Sequence, residues 1–444
     1  MSTKTFEGPI PQAIQGAETK VAMSPARKWV VVVLLALGAV IAFTSRMGVG
    51  VTLTLPSFIT TFHLSNVDRG VLNSAFFWVF AALQIPTGWV VDRFGVKRPY
   101  TVSFLFWGLV TLLTGMTQSL PYLITLRVLT GAFESIIMPA SYSWIRKNFE
   151  EKRSGLALGI YMLGTKVGPA LGAPASVWLI QTFNWRLLYI VLGVIAFLWL
   201  VPWIFLVKRD APAGTSRGAA LHKGETNEEQ LVPFSKLLAS SVVWGGFIVN
   251  FCYCYFVFYF MTWMPAFFVE YRHLSLAKMG LYTFFSFTGM GLVNIGAGWL
   301  ADWMISRGGN AVTVRKTFVI VAFCIACTEL LAVRTSSANM ALFWSVISLS
   351  GLGLASGNSL ALCRVTLISR TAVGRVTGLA GVSTALAGIG SPILSGWLLQ
   401  KTGSYQGPMQ AIWFFQIVAI VTCLVMLREK YSMVPVTKYS KVRN

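Results

Sequence analysis

The chain has 444 residues, 55% of them hydrophobic and 11% charged, with a mean hydropathy of +0.67. A soluble chain carries about a quarter charged residues, so this composition excludes a soluble globular protein and indicates about a dozen spans of about 20 residues each. The net charge of +21 is spread in short patches between apolar runs rather than gathered on a soluble face, which argues against a nucleic-acid binder.

In chain order, residues 1–28 read as a polar tail without a cleavable signal, because the first apolar run is long enough to be retained as a span. Twelve helices are expected at 29–55, 70–91, 100–118, 121–144, 154–179, 186–207, 240–266, 277–301, 317–334, 339–362, 376–399 and 407–427. They divide into an N-terminal six-helix bundle (29–207), a central loop (208–238), a C-terminal six-helix bundle (239–427) and a tail (428–444). With both termini on the inner side, inner segments hold 26 of the 36 Lys and Arg residues and outer segments hold 6, which fixes the orientation as termini-inside. The remaining four are Arg46, Arg127, Lys166 and Arg364, the last at a span end.

The halves repeat. Gly88-Trp-Val-Val-Asp92-Arg93-Phe-Gly95-Val-Lys97-Arg98 follows the second span, and Gly298-Trp-Leu-Ala-Asp302 follows the eighth. Parallel six-span repeats mark one transporter architecture. The pattern resembles the signature of the major facilitator superfamily, and the resemblance covers the whole chain. It implies an all-α membrane protein with twelve transmembrane helices in two pseudo-symmetric bundles, and it implies that Gly88, Asp92, Arg93, Gly95 and Asp302 form a gating latch. Gly88 is expected to let two helices approach closely.

Charges inside a span are costly and face a cavity or a partner. Arg127-Val-Leu-Thr-Gly-Ala-Phe-Glu134-Ser puts two of them seven residues apart in the fourth span, on one helix face and roughly 10 Å apart along the axis. They read as a pair that can be made and broken, with Glu134 the only deep carboxylate. Glu329 reads as half of a surface pair with Arg334. On the seventh span, Tyr255 and Tyr259 share a face and are expected to line the cavity. Asn250, Asn294 and Asn358 are expected either there or in interhelical hydrogen bonds. In the fifth span, Gly164, Gly168 and Gly172 are expected to make close helix contacts beside Pro169.

The stretch RVLTGAFES, together with Arg46 and the second-span run Ser74-Ala-Phe-Phe-Trp-Val-Phe-Ala-Ala-Leu-Gln84-Ile-Pro86, is similar to the anion:cation symporter family within that superfamily. The resemblance implies that Arg46 and Arg127 bind an organic anion and that Glu134 carries the coupling proton. The chain departs from the family with Ser45 for an aspartate, Phe80 for a tyrosine, Ala385 for an asparagine and an added cation at Lys166. Fewer groups to read hydroxyls, and more positive charge, point to a carboxylate less hydroxylated than a sugar acid. Lys166 is expected to contact it.

The expected protein is a proton-coupled importer of a small organic anion, a monomer in a bacterial inner membrane. The alternative is a proton-driven efflux antiporter, for which three buried cations suit cationic drugs poorly. No Ser/His/Asp set, paired-carboxylate site or metal-ligand spacing indicates an enzyme, a metal or a cofactor. The six cysteines lie in apolar segments and read as small apolar filler.

Overall fold

The computed structural model describes residues 23–207, 233–369 and 372–433. The expected tails and central loop fall largely outside the described residues, as does the Arg364 side chain. Every regular element among the described residues is helical.

Twelve long helices run up and down. They are α1 (Pro25–Thr52), α2 (Asn66–Phe94), α3 (Lys97–Met116), α4 (Leu120–Asn148), α5 (Glu151–Thr182), α6 (Trp185–Leu206), α7 (Ser241–Thr262), α8 (Leu276–Ser306), α9 (Ala311–Arg334), α10 (Ala338–Ala361), α11 (Val373–Thr402) and α12 (Gln406–Val425). Eleven are long and apolar enough to cross a membrane, and α2, bent by 55° at Pro86, makes a twelfth. The end at which α1 begins is called the base, and the opposite end the top.

Local chemistry sets the helix ends. Ser24, Ser65, Asn184, Ser275, Asn310 and Ser337 each accept from the backbone N–H three residues on, the expected use of an N-cap side chain. Gly95 ends α2 at φ 75°, a conformation that a side chain disfavours. Pro139 breaks α4, whose helical runs are Leu120–Glu134 and Ile137–Asn148. It has no N–H to give the Ser135 carbonyl, and its ring crowds that group. Glu134 therefore sits at the end of a half-helix.

Within the N-terminal half, α5 lies directly on α1. A Cβ at Gly164 would stand 2.4 Å from the Ala36 carbonyl oxygen, at Gly168 2.7 Å from the Phe43 Cβ and at Gly172 2.8 Å from the Thr44 Cα. The small-residue series of α5 is thus the contact surface expected from the sequence. Around it, Phe104 stacks on Trp199 at 4.0 Å and Tyr100 lies 4.5 Å from Trp203, joining α3 to α6.

The halves meet along α2–α11, α5–α8 and α1–α7, and the tightest backbone approaches between them lie toward the top. A Cβ at Gly50 would fall 2.1 Å from the Met261 carbonyl oxygen, at Gly70 2.6 Å from that of Pro392 and at Gly396 2.4 Å from that of Asn66. Phe77 of α2 packs on Phe258 of α7 at 4.6 Å. Arg69 of α2 forks onto Glu270, beyond α7, at 2.6 and 3.1 Å, and Tyr405 donates to the same carboxylate at 3.2 Å. At the base the picture reverses. Gly88 of α2, Gly155 and Gly159 of α5, Gly296 and Gly298 of α8, and Gly374, Gly378 and Gly381 of α11 have no described atom within 4 Å of a Cβ position. The close approach expected at Gly88 is absent because the base ends of these helices stand apart. Among the described residues, the two halves are packed together at the top and stand apart at the base.

This geometry predicts an asymmetry in stability. Gly396→Leu must displace backbone and should cost about 1–3 kcal/mol, read as a lowered melting temperature in detergent. Gly159→Leu and Gly378→Leu should stay within about 0.5 kcal/mol of the parent. Equal losses at both ends would contradict a base-open structure.

Candidate functional site

The charges lie in the middle of the N-terminal half. Gly131 brings α4 onto α2, because a Cβ there would sit 1.9 Å from the Phe76 carbonyl oxygen. That contact sets Arg127 and Glu134 beside Phe76. Glu134 is 1% exposed. Its ion pair is with Arg46 of α1, not with Arg127: Arg46 donates from Nε at 2.9 Å and its second terminal nitrogen stands 2.8 Å from the same oxygen, Oε2. The expected pairing within α4 is corrected by the geometry. α1 passes beside the break in α4 and presents a guanidinium there, while Arg127 projects toward the top.

The other carboxylate oxygen, Oε1, is buried without a hydrogen-bond partner among the described residues. Trp107, whose buried ring N–H also has none, flanks it. The Arg46 guanidinium is boxed by Phe43, Phe76 and Phe80, whose ring centroids lie at 4.6, 4.5 and 5.3 Å. Cation–π contacts of this kind hold an arginine in a dry site.

Arg127 makes one long hydrogen bond, from Nε to the Leu72 carbonyl oxygen at 3.4 Å. Its guanidinium carbon lies 5.4 Å from the Phe76 ring, and the Tyr189 phenol stands near it. Through the shared ring the two guanidinium groups are within about 10 Å of each other. Arg46 is thus held by a carboxylate, and Arg127 has no described carboxylate partner.

Lys166 is half-buried on α5 and reaches across to α7, where its ammonium lies 3.4 Å from the Tyr253 hydroxyl. The α7 tyrosines lie on different faces, and those expected to line the cavity are packed away from it. Tyr255 and Tyr259 are 1% and 0% exposed and face the interior of the C-terminal half, where Tyr255 packs on Phe415 at 4.4 Å. Tyr253, two and six positions from them and on another face, is the tyrosine that meets the N-terminal half. α7 is apolar on all sides, so its sequence carries no signal of which face is which. A repeated i, i+4 spacing drew attention to the pair that packs.

The asparagines take the interhelical option. Asn250 donates to the Ala380 carbonyl, Ser383 and Thr384 of α11 at 3.1, 3.3 and 2.9 Å. Asn294 accepts from the Gly357 N–H at 2.8 Å. Asn358 accepts from Arg315 at 3.3 Å. The base motif divides. Asp302 pairs with Arg315 at 2.7 Å, joining α8 to α9, while Asp92 is exposed and Arg93 lies over Trp89 at 5.2 Å. Glu329 is not a surface residue. It is 1% exposed, and Ser345 and Ser348 of α10 hydrogen-bond to it. Glu134 is therefore not the only deep carboxylate.

Two six-helix halves of membrane-crossing helices, with a buried arginine–carboxylate pair in one of them, mark a multi-pass membrane transporter rather than an enzyme. Residues 35–366 match the Major Facilitator Superfamily, and the chain belongs to that family. A D-galactonate transporter of Escherichia coli O6:H1 is 26% identical, with 85% of this chain and 90% of that protein covered. The probable galactarate/D-glucarate transporter GudP of Escherichia coli K12 is 26% identical over 94% of this chain and 96% of its own length. The probable sulfoacetate transporter SauU of Cupriavidus necator is 27% identical, covering 83% and 86%. In fold, the chain is similar to a bacterial homologue of the human lysosomal transporter Spinster, solved in an inward-facing, unoccupied conformation. The TM-score is 0.78 at 18% identity, over 93% of this chain and all of that one.

A double-mutant cycle tests the pairing. Arg46→Ala and Glu134→Gln should couple by about 1–3 kcal/mol in thermal unfolding, whereas Arg127→Ala and Glu134→Gln should couple by less than about 0.5 kcal/mol. The reverse order would return Glu134 to Arg127.

Proposed function

We propose that this protein imports a small organic anion together with protons, by alternating access of its two halves around the Arg46–Glu134 pair. The observation that carries the reading is that pair itself: a buried carboxylate already occupies the guanidinium that an incoming carboxylate needs, with a second guanidinium, Arg127, close by without a carboxylate. Relatives named for galactonate, galactarate/glucarate and sulfoacetate transport support an organic anion as the cargo.

The distribution of Lys and Arg favours a cytoplasmic base, so the base-open form is the inward-open state of the cycle and both termini are cytoplasmic. Opening to the other side requires the Arg69–Glu270 fork and the α2–α11 contact to part while the base glycines close on one another. Arg93 and the base motif act in that closure. The exposed Asp92 is then brought into contact, as its counterpart Asp302 already is with Arg315.

Coupling follows from competition. An ionised Glu134 holds Arg46. Protonation of Glu134 removes the charge and frees Arg46, so that Arg46 and Arg127 together receive the substrate anion. Loss of the proton to the cytoplasm restores the pair and displaces the substrate. Proton and anion therefore travel in the same direction.

Selectivity rests on the remaining walls. Phe43, Phe76 and Phe80 offer rings, Lys166 a third cation and Tyr253 a hydroxyl. Ser45 and Ala385, at positions where the family carries an acid and an amide, are buried small residues. A cavity with three cations and few amides suits a compact anion with few hydroxyls, such as a short carboxylate, sulfonate or dicarboxylate, over a polyol acid. Tyr253 takes the contact expected of Tyr255 and Tyr259.

In proteoliposomes an inward acid gradient should drive accumulation of such an anion. Glu134→Gln should abolish that accumulation while leaving exchange of external for internal substrate. Loss of both would make Glu134 structural. Arg127→Ala should weaken substrate binding by about tenfold or more, the loss expected of one charge-assisted contact. Tyr253→Phe should weaken it less, and Tyr255→Phe should leave it unchanged. An effect at Tyr255 equal to that at Tyr253 would return the packed face of α7 to the site.

A further inference from the structure

The central mechanism leaves one buried acid unused. Glu329 begins the short top segment of α9, after the break at Cys327 and Thr328, and is turned into the C-terminal half at 1% exposure. Oε1 accepts from the Ser345 hydroxyl at 2.9 Å, and Oε2 meets the Ser348 hydroxyl. No described cation pairs with it. α7, α10 and α12 contain no Asp, Glu, Lys, Arg or His. The Tyr259 phenol of α7 is within electrostatic reach, and Cys327 is on its own helix. Arg334 is exposed at the top, and Arg272 is engaged with the Ala332 carbonyl.

The hydrogens can be counted. Each serine hydroxyl has one hydrogen to give. Ser348 Oγ is within hydrogen-bond distance of two acceptors, Glu329 Oε2 and the Ser345 carbonyl oxygen, the latter at 3.0 Å. If Glu329 is ionised, one of those contacts lacks a hydrogen, and a bare carboxylate is left in a span without a cation. If Glu329 is a neutral acid, every contact is filled. Its O–H donates to Ser348 Oγ, Ser348 donates to the Ser345 carbonyl, and Ser345 donates to Oε1. Rotation of the Ser348 hydroxyl from that carbonyl to Oε2 would serve the ionised form with the same atoms, so the site can bind and release a proton without rebuilding.

We propose that Glu329, Ser345 and Ser348 form a second proton-binding site, loaded when the top is open and still occupied in the base-open state, from which it empties toward the base, so that the C-terminal half carries a coupling proton of its own. The proton binds as the O–H of Glu329 and leaves to water as the carboxylate forms. The way in from the top passes hydroxyls that the fold leaves without partners. Tyr259, Tyr255 and Ser395 are buried with no hydrogen-bond partner among the described residues, and Tyr255 adjoins Ser395 of α11, the helix that closes on α2 at the top. This inference rests on the proton-coupled transport proposed above.

Two readouts on the reconstituted full chain test it. Infrared spectra at neutral pH should contain a protonated-carboxyl carbonyl band that is absent in Glu329→Gln and retained in Glu134→Gln. Ser348→Ala, which keeps the acid but removes its acceptor, should move that band to higher frequency, and it remains informative if Glu329→Gln fails to fold. The proton-to-anion ratio, measured from the reversal potential of uptake of the anion accumulated best in a carboxylate and sulfonate panel, should fall by one in Glu329→Gln. Absence of the band, or its persistence in Glu329→Gln, overturns the site. A band with an unchanged ratio makes Glu329 a static neutral acid and overturns its part in coupling. Wild-type uptake without protons overturns that part and the central reading together, while the band still reports whether Glu329 itself holds a proton.

Discussion

The structure depends on the cost of keeping a carboxylate ionised in a low-dielectric interior. Glu134 is almost wholly buried, and one arginine offsets its charge through a single oxygen. A pair of this kind stabilises little relative to an apolar core, yet removing one partner leaves a buried charge that costs several kcal/mol. The pair is therefore poised. Anything that neutralises the carboxylate, or offers the guanidinium another anion, rearranges it. The surrounding fold makes this exchange possible. Pro139 ends the first half of α4 at the carboxylate, Gly131 draws α2 in until Phe76 stands between two guanidinium groups, and the glycines of α5 seat α1 so that Arg46 arrives.

The same economy governs the larger motion. At the top, small residues let backbones of opposite halves touch, and the Arg69–Glu270 fork with Tyr405 fastens them. At the base, matching glycines on α2, α5, α8 and α11 face open space. The repeated placement means that one end can adopt the packing now seen at the other. In the proposed cycle, the central ion pair answers to a proton and lies between two ends that pack in turn.

Much of this was legible in the sequence. Apolar runs and loop charges gave the twelve helices because a bilayer imposes length and composition directly. Arg46, Arg127, Glu134 and Lys166 stood out because charge inside a span requires a reason. What a linear pattern does not contain is lateral placement. Glu134 and Arg127 share a helix face, but Glu134 pairs with a residue 88 positions away, a fact set by how α1 lies on α4. That Tyr253 meets Lys166 of the N-terminal half was not legible, because α7 has no polar side to orient it. Glu329 was assigned to the surface because it lies near the outer end of its expected span, with an arginine five residues on. Arg69 and Glu270 lie 201 positions apart, so no local pattern links them.

Calorimetry in buffers of differing ionisation enthalpy gives the most direct measurement of the central exchange. With the best-bound anion of a carboxylate and sulfonate panel, binding to the purified protein near neutral pH should take up a proton as Glu134 releases Arg46. Glu134→Gln should bind the anion with no buffer dependence from that group. Anion binding without proton uptake in the parent, or with the same uptake in Glu134→Gln, would contradict the claim that the substrate anion and the Glu134 carboxylate compete for Arg46.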